Sequence, residues 1–440
     1  MSSDVTALVE EDCDVLVVGG GPSGSTIAAL LAERGERVTV VEKDRHPRFH
    51  IGESLLPLNL PLLDKLGVRE EVDKIGMLKY GAEFVSPYHK KRITFQFGDA
   101  LSKNHPYAYQ VRRSEFDHIL LKNSAAKGAN VVEGFRITDV SFPPDGGVFA
   151  RGIDEQGQNR SWHAKFFVDA SGRDTFLANR FKTKQRNGKH NSAAMFGHFT
   201  GACRPPGKAE GNISIFWFDN GWFWFIPLAD GTTSIGAVSR PDYIKSRKSD
   251  LTTFFMDTIA SCSELAETLK DATLVSSVTA TGNYSYQVES MAGRNYILLG
   301  DAFAFIDPLF STGVYLAMNS AFLGADVVST SLHAPNEAAI AVRRFDAAVR
   351  HALGMFSWYI HRIASPVMRN LLMNPGNPFR VQEALLSMLA GDVFTRSGLR
   401  VRLAIFKIIY YVSCLGLLRQ SIAAWKKRKR DIRIVPEEAV

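Results

Sequence analysis

Cys13-Asp14-Val15-Leu16-Val17-Val18-Gly19-Gly20-Gly21-Pro22-Ser23-Gly24 is the stretch that decides the fold. A short β-branched run ends in glycines and passes directly to a proline. That order predicts a buried strand, Cys13–Val18, turning into a helix from about Pro22 to Arg34. Ile27, Leu30 and Leu31 share one face of the helix, and Gly35 ends it. A second apolar strand, Arg37–Val41, ends in Glu42. Strand, helix and strand form a βαβ unit, and its parallel strands imply an α/β sheet. Gly19, Gly21 and Gly24 give the spacing G-x-G-x-x-G. Gly19 permits the tight turn, Gly21 lets a pyrophosphate approach the backbone, and Gly24 lets helix and strand pack closely. The helix start at Pro22 and Ser23 offers free N–H groups and partial positive charge to phosphates. Glu42 can accept hydrogen bonds from a ribose. A glycine triplet alone marks only a tight turn. With strand, helix and terminal acid in this order it predicts dinucleotide binding.

Outward from this unit the pattern changes. Asp44–Gly52 is a polar loop, Leu58–Leu66 reads as a helix stopped by Gly67, and Tyr80–Phe97 alternates like a hairpin. A helix is expected over Ser114–Lys127, with Ser114 as N-cap and Gly128 as its end. Strands follow near Asn130–Glu133 and Phe166–Asp169. Residues 190–288 are rich in Phe, Trp, Thr and Ser, with alternating runs at Ile213–Phe218 and Trp222–Ile226. They predict an antiparallel sheet with one face buried and one lining a cavity. Tyr296–Leu299 returns to the nucleotide domain, and helices fill most of 312–425. The expected organisation is a nucleotide domain over 1–185, with 79–110 on the substrate side. A sheet domain over 186–289 follows, then the nucleotide domain again over 290–345. A helical region with a basic tail covers 346–440.

Composition sets the outer limits. The 440 residues are 45% hydrophobic and 22% charged, which excludes general disorder and a polytopic membrane protein. Lys plus Arg is 52 against 45 Asp plus Glu, a net +7. The whole excess lies in residues 399–440, with ten Lys/Arg and three acids; the preceding 398 residues are neutral. That placement argues against nucleic acid as a partner. Cys13, Cys203, Cys262 and Cys414 are scattered, so neither a disulfide framework nor a metal site is expected. The acidic start, MSSDVTALVEEDCD, lacks the apolar segment of a signal peptide, and a cytoplasmic location is expected.

The dinucleotide is narrowed by resemblance. Val168-Asp169-Ala170-Ser171-Gly172-Arg173 and Leu298-Leu299-Gly300-Asp301-Ala302 resemble the second and third FAD motifs of glutathione-reductase-type flavoproteins. The resemblance implies that Asp301 bonds the ribityl chain and that Asp169 belongs to the cofactor site. Arg113, in Arg113-x-x-Phe116-Asp117, matches the cofactor-contacting arginine. The bland alternatives are a helix N-cap for Asp301 and a solvated helix end for Arg113.

Four further segments narrow the family. They are Phe49-His50-Ile51-Gly52-Glu53-Ser54-Leu55-Leu56-Pro57, Met77-Leu78-Lys79-Tyr80-Gly81-Ala82-Glu83-Phe84, Gly221-Trp222-Phe223-Trp224-Phe225-Ile226-Pro227 and Phe305-Ile306-Asp307-Pro308-Leu309-Phe310-Ser311-Thr312-Gly313-Val314. Together with the FAD motifs they resemble the flavin-dependent halogenases over about residues 12–330. The resemblance implies oxidation of chloride or bromide to hypohalous acid by reduced FAD and O₂. It places Lys79 as the catalytic lysine that passes the halogen to an electron-rich ring. Glu53, Ser54, Pro308, Gly313 and Val314 then fall at the cofactor, and Thr312 and Gly313 at the halide. Trp222 and Trp224 keep substrate from the reactive flavin in that family; an aromatic core is their ordinary alternative.

Tryptophan halogenases carry a glutamate just before Ser311-Thr312-Gly313, whereas this chain has Phe310. It therefore looks more like halogenases of phenols or pyrroles in specialised metabolism, some acting on rings tethered to acyl carrier proteins. Neither Glu53 nor Glu83 can be assigned as base. No second G-x-G-x-x-G suggests bound NADPH, so a separate flavin reductase is expected to supply reduced FAD. The rival readings are an aromatic hydroxylase, a geranylgeranyl-reductase-like enzyme, and a catalytically silent flavin-binding membrane or complex partner.

Ile408–Leu418 is an apolar run of eleven residues, too short for the roughly twenty a membrane span needs. Lys407 and Arg419 bracket it, and Trp425 precedes Lys426–Arg430. The pattern fits a docked helix with a solvated charged end, a peripheral membrane contact, or a dock for an acidic carrier protein.

Overall fold

The βαβ unit forms around the Val9–Val18 strand, buried from Cys13 to Val18 in a computed structural model. The structure describes residues 9–187, 192–282, 285–394, 398–418, 422–423 and 425–426. Val15–Val18 pairs in parallel with Val38–Val41, and the same strand pairs in parallel with Arg160–Asp169. The strand is longer than its apolar run because Val9–Asp12 also pairs with Arg160–His163. In spatial order the sheet runs Ala292–Gly293, Tyr296–Leu298, Asn159–Asp169, Val9–Val18, Val38–Glu42 and Asn130–Glu133. The glutathione-reductase-type α/β reading holds.

Helix Pro22–Glu33 returns the chain antiparallel to the strands and packs on helix Thr312–His333. Two glycines make the turn possible. Gly19 has φ +105°, and a Cβ on Gly24 would lie 1.8 Å from the Gly19 carbonyl oxygen. Only glycine fits either place.

The second sheet runs Thr273–Leu274, Ala193–Thr200, Thr233–Ser239, Gly221–Pro227, Ile213–Phe218, Gly81–Ser86 and Lys91–Gln96. Its pairs are antiparallel except one: Ile213–Phe216 runs parallel to Ala82–Val85. The sheet is thus mixed, because the hairpin within 80–97 joins its edge. Alternation sorts its side chains. Trp222, Trp224 and Ile226 join a core shared with the helical region. Phe223 and Phe225 face the opposite way, onto helices Leu251–Ala260 and Ser263–Thr268.

One helix starts differently from expectation. It spans Arg113–Ala126 with Arg112 in extended geometry as N-cap and no side-chain cap, so Ser114 lies inside the first turn. This makes Arg113 the first helical residue. Helices Ala338–Ile360, Pro366–Met373, Val381–Leu389 and Leu399–Gly416 complete the helical region. Among the described residues no helix is long and apolar enough to cross a membrane. The basic run Lys427–Arg430 and Arg433 lie outside the described residues.

Candidate active site

A cavity of about 540 Å³ opens where the two sheets meet. Its nucleotide end is lined by Gly19, Gly21, Pro22, Ser23 and Glu42. Glu42 is buried, and its two oxygens accept from Gly20 N at 2.6 Å and Asp44 N at 2.9 Å. A Cβ on Gly21 would meet only Arg48, at 3.6 Å. Here glycine keeps space open toward the cavity, as a pyrophosphate requires.

The middle is organised by a buried arginine. Arg113 donates to Asp117 through Nε at 2.7 Å and Nη2 at 2.9 Å, and through Nη1 to the Ile51 carbonyl at 3.0 Å. Arg48 also reaches Asp117, at 3.3 Å. These cations hold the fully buried Asp117 carboxyl below its ordinary range despite desolvation. Asp301 lines the same region; burial pushes its carboxyl up to about 6, opposed by Arg173 and Arg113.

The loop after Gly52 carries the site toward the substrate side. Leu55 N donates to Tyr109 O and Val111 N to Glu53 O, pinning the loop along Ala108–Gln110. That strand pairs with Met77–Lys79, which brings Lys79 to Ser54. Lys79 is only 1% exposed. Its Nζ donates to Ser54 Oγ at 2.9 Å and to Leu55 O at 3.0 Å, and lies 5.3 Å from the Phe97 ring centroid. Burial alone lowers its ammonium from 10.5 to about 7. Ser54 lines the cavity; Lys79 stands directly behind it.

Glu53 also lines the cavity. Oε1 meets His198 Nε2 at 2.8 Å, and Oε2 is buried without a hydrogen-bond partner. Replacing Glu53 with Gln leaves an oxygen facing His198 but takes the carboxylate out of the contact that positions the loop. FAD affinity is expected to fall about tenfold, on the scale of one such bond, in a flavin fluorescence titration.

The far wall is Trp222, Trp224, Ile213 and Ile226. Trp224 Nε1 donates to Ser234 Oγ at 3.1 Å, fixing that indole. Gly236 makes room for it, since a Cβ there would lie 2.1 Å from the ring. Opposite, Pro308, Ser311, Gly313 and Val314 line the cavity at the start of helix Thr312–His333. Thr312 Oγ1 is buried without a partner, and a Cβ on Gly313 would meet nothing within 4 Å. The open cradle at Gly21, the unpartnered Glu53 and Thr312 oxygens and the fixed cation at Arg113 fit a dinucleotide carrying a flavin.

Most of the expected residues converge on this cavity. Asp169 does not line it. Its carboxylate accepts from Ser171 N, Ser171 Oγ and Leu177 N, and so shapes the turn that presents Ala170–Arg173 to the cavity. Gly24 acts through packing. Glu83 bonds Ser214 and Arg92, away from the cavity lining. Arg48, Asp117 and His198 received no role from the sequence. Asp117 carried a signal, standing one turn from Arg113; His198 carried none.

The family described as "Tryptophan halogenase" matches residues 14–105 and 89–363. A tryptophan 2-halogenase of Chondromyces crocatus is 35% identical over 336 residues, 72% of this chain and 61% of that protein. The 1H-pyrrole-2-carbonyl-peptidyl-carrier-protein chlorinase of Pseudomonas fluorescens is 29% identical over 423 residues, 89% of this chain and 92% of its own. The solved structure of a myxobacterial chondrochloren halogenase, a variant of FAD-dependent halogenases, has a TM-score of 0.76 at 29% identity, covering 97% of this chain and 98% of that one. The chain therefore spans about three-fifths of the length of the first relative, 61%, and nearly all of the other two.

Proposed function

Because this chain belongs to the tryptophan halogenase family, we propose that it halogenates an electron-rich phenol or pyrrole, free or tethered to a carrier protein. The observation that carries the reading is Lys79, buried behind Ser54 at the cavity with its ammonium lowered to about 7. Reduced FAD, when bound, would give O₂ two electrons and the halide would give the other two, so that one oxygen leaves as water and the other in hypohalous acid.

The chain's own residues bind, orient and protect. Gly21, Ser23, Glu42, Arg113 and Asp301, which line the cavity, would hold the cofactor. The N–H groups of Thr312 and Gly313 hold the halide, where the helix dipole favours an anion. Trp222 and Trp224 wall the substrate side and exclude water. Lys79 uses two donors on Ser54 and Leu55. An ammonium has a third, which would hold and polarise hypohalous acid that passes Ser54 to reach it on its way to the ring. A flavin reductase is the partner that supplies reduced FAD.

The test supplies purified protein with FAD, a flavin reductase, oxygen and halide, and a panel of phenols and pyrroles, free and carrier-bound. Replacement of one ring hydrogen by halogen, dependent on halide, is the expected mass change. Hydroxylated product formed equally without halide overturns the reading.

A further inference from the structure

Helix Leu399–Gly416 is apolar on two opposite faces. Leu399, Leu403, Phe406 and Tyr410 are buried in the core shared with helices Pro366–Met373 and Val381–Leu389. Val401, Ile408, Val412 and Leu415 are 67%, 62%, 61% and 71% exposed. At 3.6 residues per turn these four fall within an arc of about 60°, diametrically opposite the docked face. A surface helix ordinarily turns polar residues outward. Contiguous apolar exposure of this kind marks an interaction surface.

Charge selects the partner. Arg402 lies on one side of the stripe and Arg400 on the other; Lys407 is on the Arg400 side but turned onto the Trp358 ring, at 5.1 Å. Residues 399–418 contain no Asp or Glu. Exposed Trp425 and Lys426 follow. Residues 399–440 carry ten Lys/Arg against three acids, while the preceding residues are net neutral. A second copy would bring two strongly cationic segments together, which like charge opposes. We propose that this helix lies in the surface of an anionic lipid bilayer. Val401, Ile408, Val412 and Leu415 enter the acyl boundary, and the flanking cations meet the headgroups. An apolar stripe bordered by Lys/Arg, with a tryptophan at headgroup depth, is the arrangement such helices use. The inference does not depend on the halogenase reading.

The test is co-sedimentation of the FAD-loaded full chain with vesicles of phosphatidylcholine alone or with about one-third phosphatidylglycerol. Preferential binding to the anionic vesicles is expected, weakening as salt rises. The variant I408D/V412D/L415D alters only exposed side chains and is expected to lower the partition coefficient by about tenfold or more. Circular dichroism and flavin content check its fold. Should it fail to fold, Arg400→Glu with Lys426→Glu must lower binding instead. Absence of binding to anionic vesicles overturns the proposal, as does binding that neither variant changes. Loss in the variants of a dimer, or of an acidic carrier-protein complex, without vesicle binding also overturns it.

Discussion

Lys79→Met is expected to abolish halogenation, with kcat falling by about a thousandfold, while FAD affinity changes by less than about threefold. Methionine matches the length of the lysine stem and lies in the same apolar setting beside Phe97. It removes the donors to Ser54 Oγ and Leu55 O. Because Lys79 does not line the cavity, the cofactor cradle keeps its shape. Oxygen uptake and flavin oxidation are expected to continue, and the oxidised halide to escape to an added scavenger. Loss of oxygen uptake together with halogenation would instead assign Lys79 a structural or cofactor-binding role. The wild-type pH profile has a definite sign. With an ammonium at about 7, the charged donor is present below that pH and is lost above it. Halogenation is therefore expected to fall as pH rises through 7, while oxygen uptake does not follow. Stability moves oppositely. The unfolded chain holds this proton up to about 10.4, so between 7 and 10.4 the unfolded state is the more protonated, and stability rises with pH. Below 7 the cost of burying the ammonium is complete. Lys79→Met removes that dependence, which denaturant unfolding at pH 6.5 and 9 measures.

The sequence disclosed the parts of this site that depend on local chain geometry. Gly19, Gly21 and Gly24 are legible because a turn forces their spacing, and Trp222 and Trp224 because a strand repeats every two residues. Thr312 and Gly313 are legible because a helix begins there. Contacts made across the fold were not legible. His198 meets Glu53 across 145 positions, and nothing near either residue announces the other. The motif singles out Lys79, but it does not reveal the setting of the side chain. The antiparallel pairing of Met77–Lys79 with Ala108–Gln110 places it behind Ser54, and burial among apolar neighbours lowers its pKa. Asp169 shows the converse. Its motif is local and plain, yet the carboxylate bonds its own turn, and only the resulting shape reaches the cavity. The parallel pair between Ile213–Phe216 and Ala82–Val85 was hidden because alternation fixes a face but not a neighbour.

Gly24→Ala and Gly21→Ala are expected to separate packing from cofactor contact, although each adds one methyl group to the same turn. On Gly24 the new Cβ would lie 1.8 Å from Gly19 O and 3.2 Å from Ala170 Cβ. The first of these is backbone, fixed by Gly19 N donating to Val41 O at 2.9 Å. Helix Pro22–Glu33 must move off the strand, opening the core that contains Ile27, Ala28 and Leu31. A loss of about 3 kcal/mol or more of stability is expected, together with a fall in FAD affinity of at least about a hundredfold. Gly21 is different. Its backbone has φ −78°, which alanine adopts freely, and the added Cβ meets only the guanidinium of Arg48, at an unstrained 3.6 Å. Gly21→Ala is expected to fold with its melting temperature within about two degrees of wild type. It still loses FAD affinity by about tenfold to a hundredfold, because the methyl group occupies the approach to the pyrophosphate. Flavin fluorescence titration and thermal unfolding without added cofactor read the two effects separately. If Gly21→Ala binds FAD as well as wild type, the pyrophosphate does not lie over this turn, and the cofactor placement argued from Gly19, Gly21 and Glu42 fails with it.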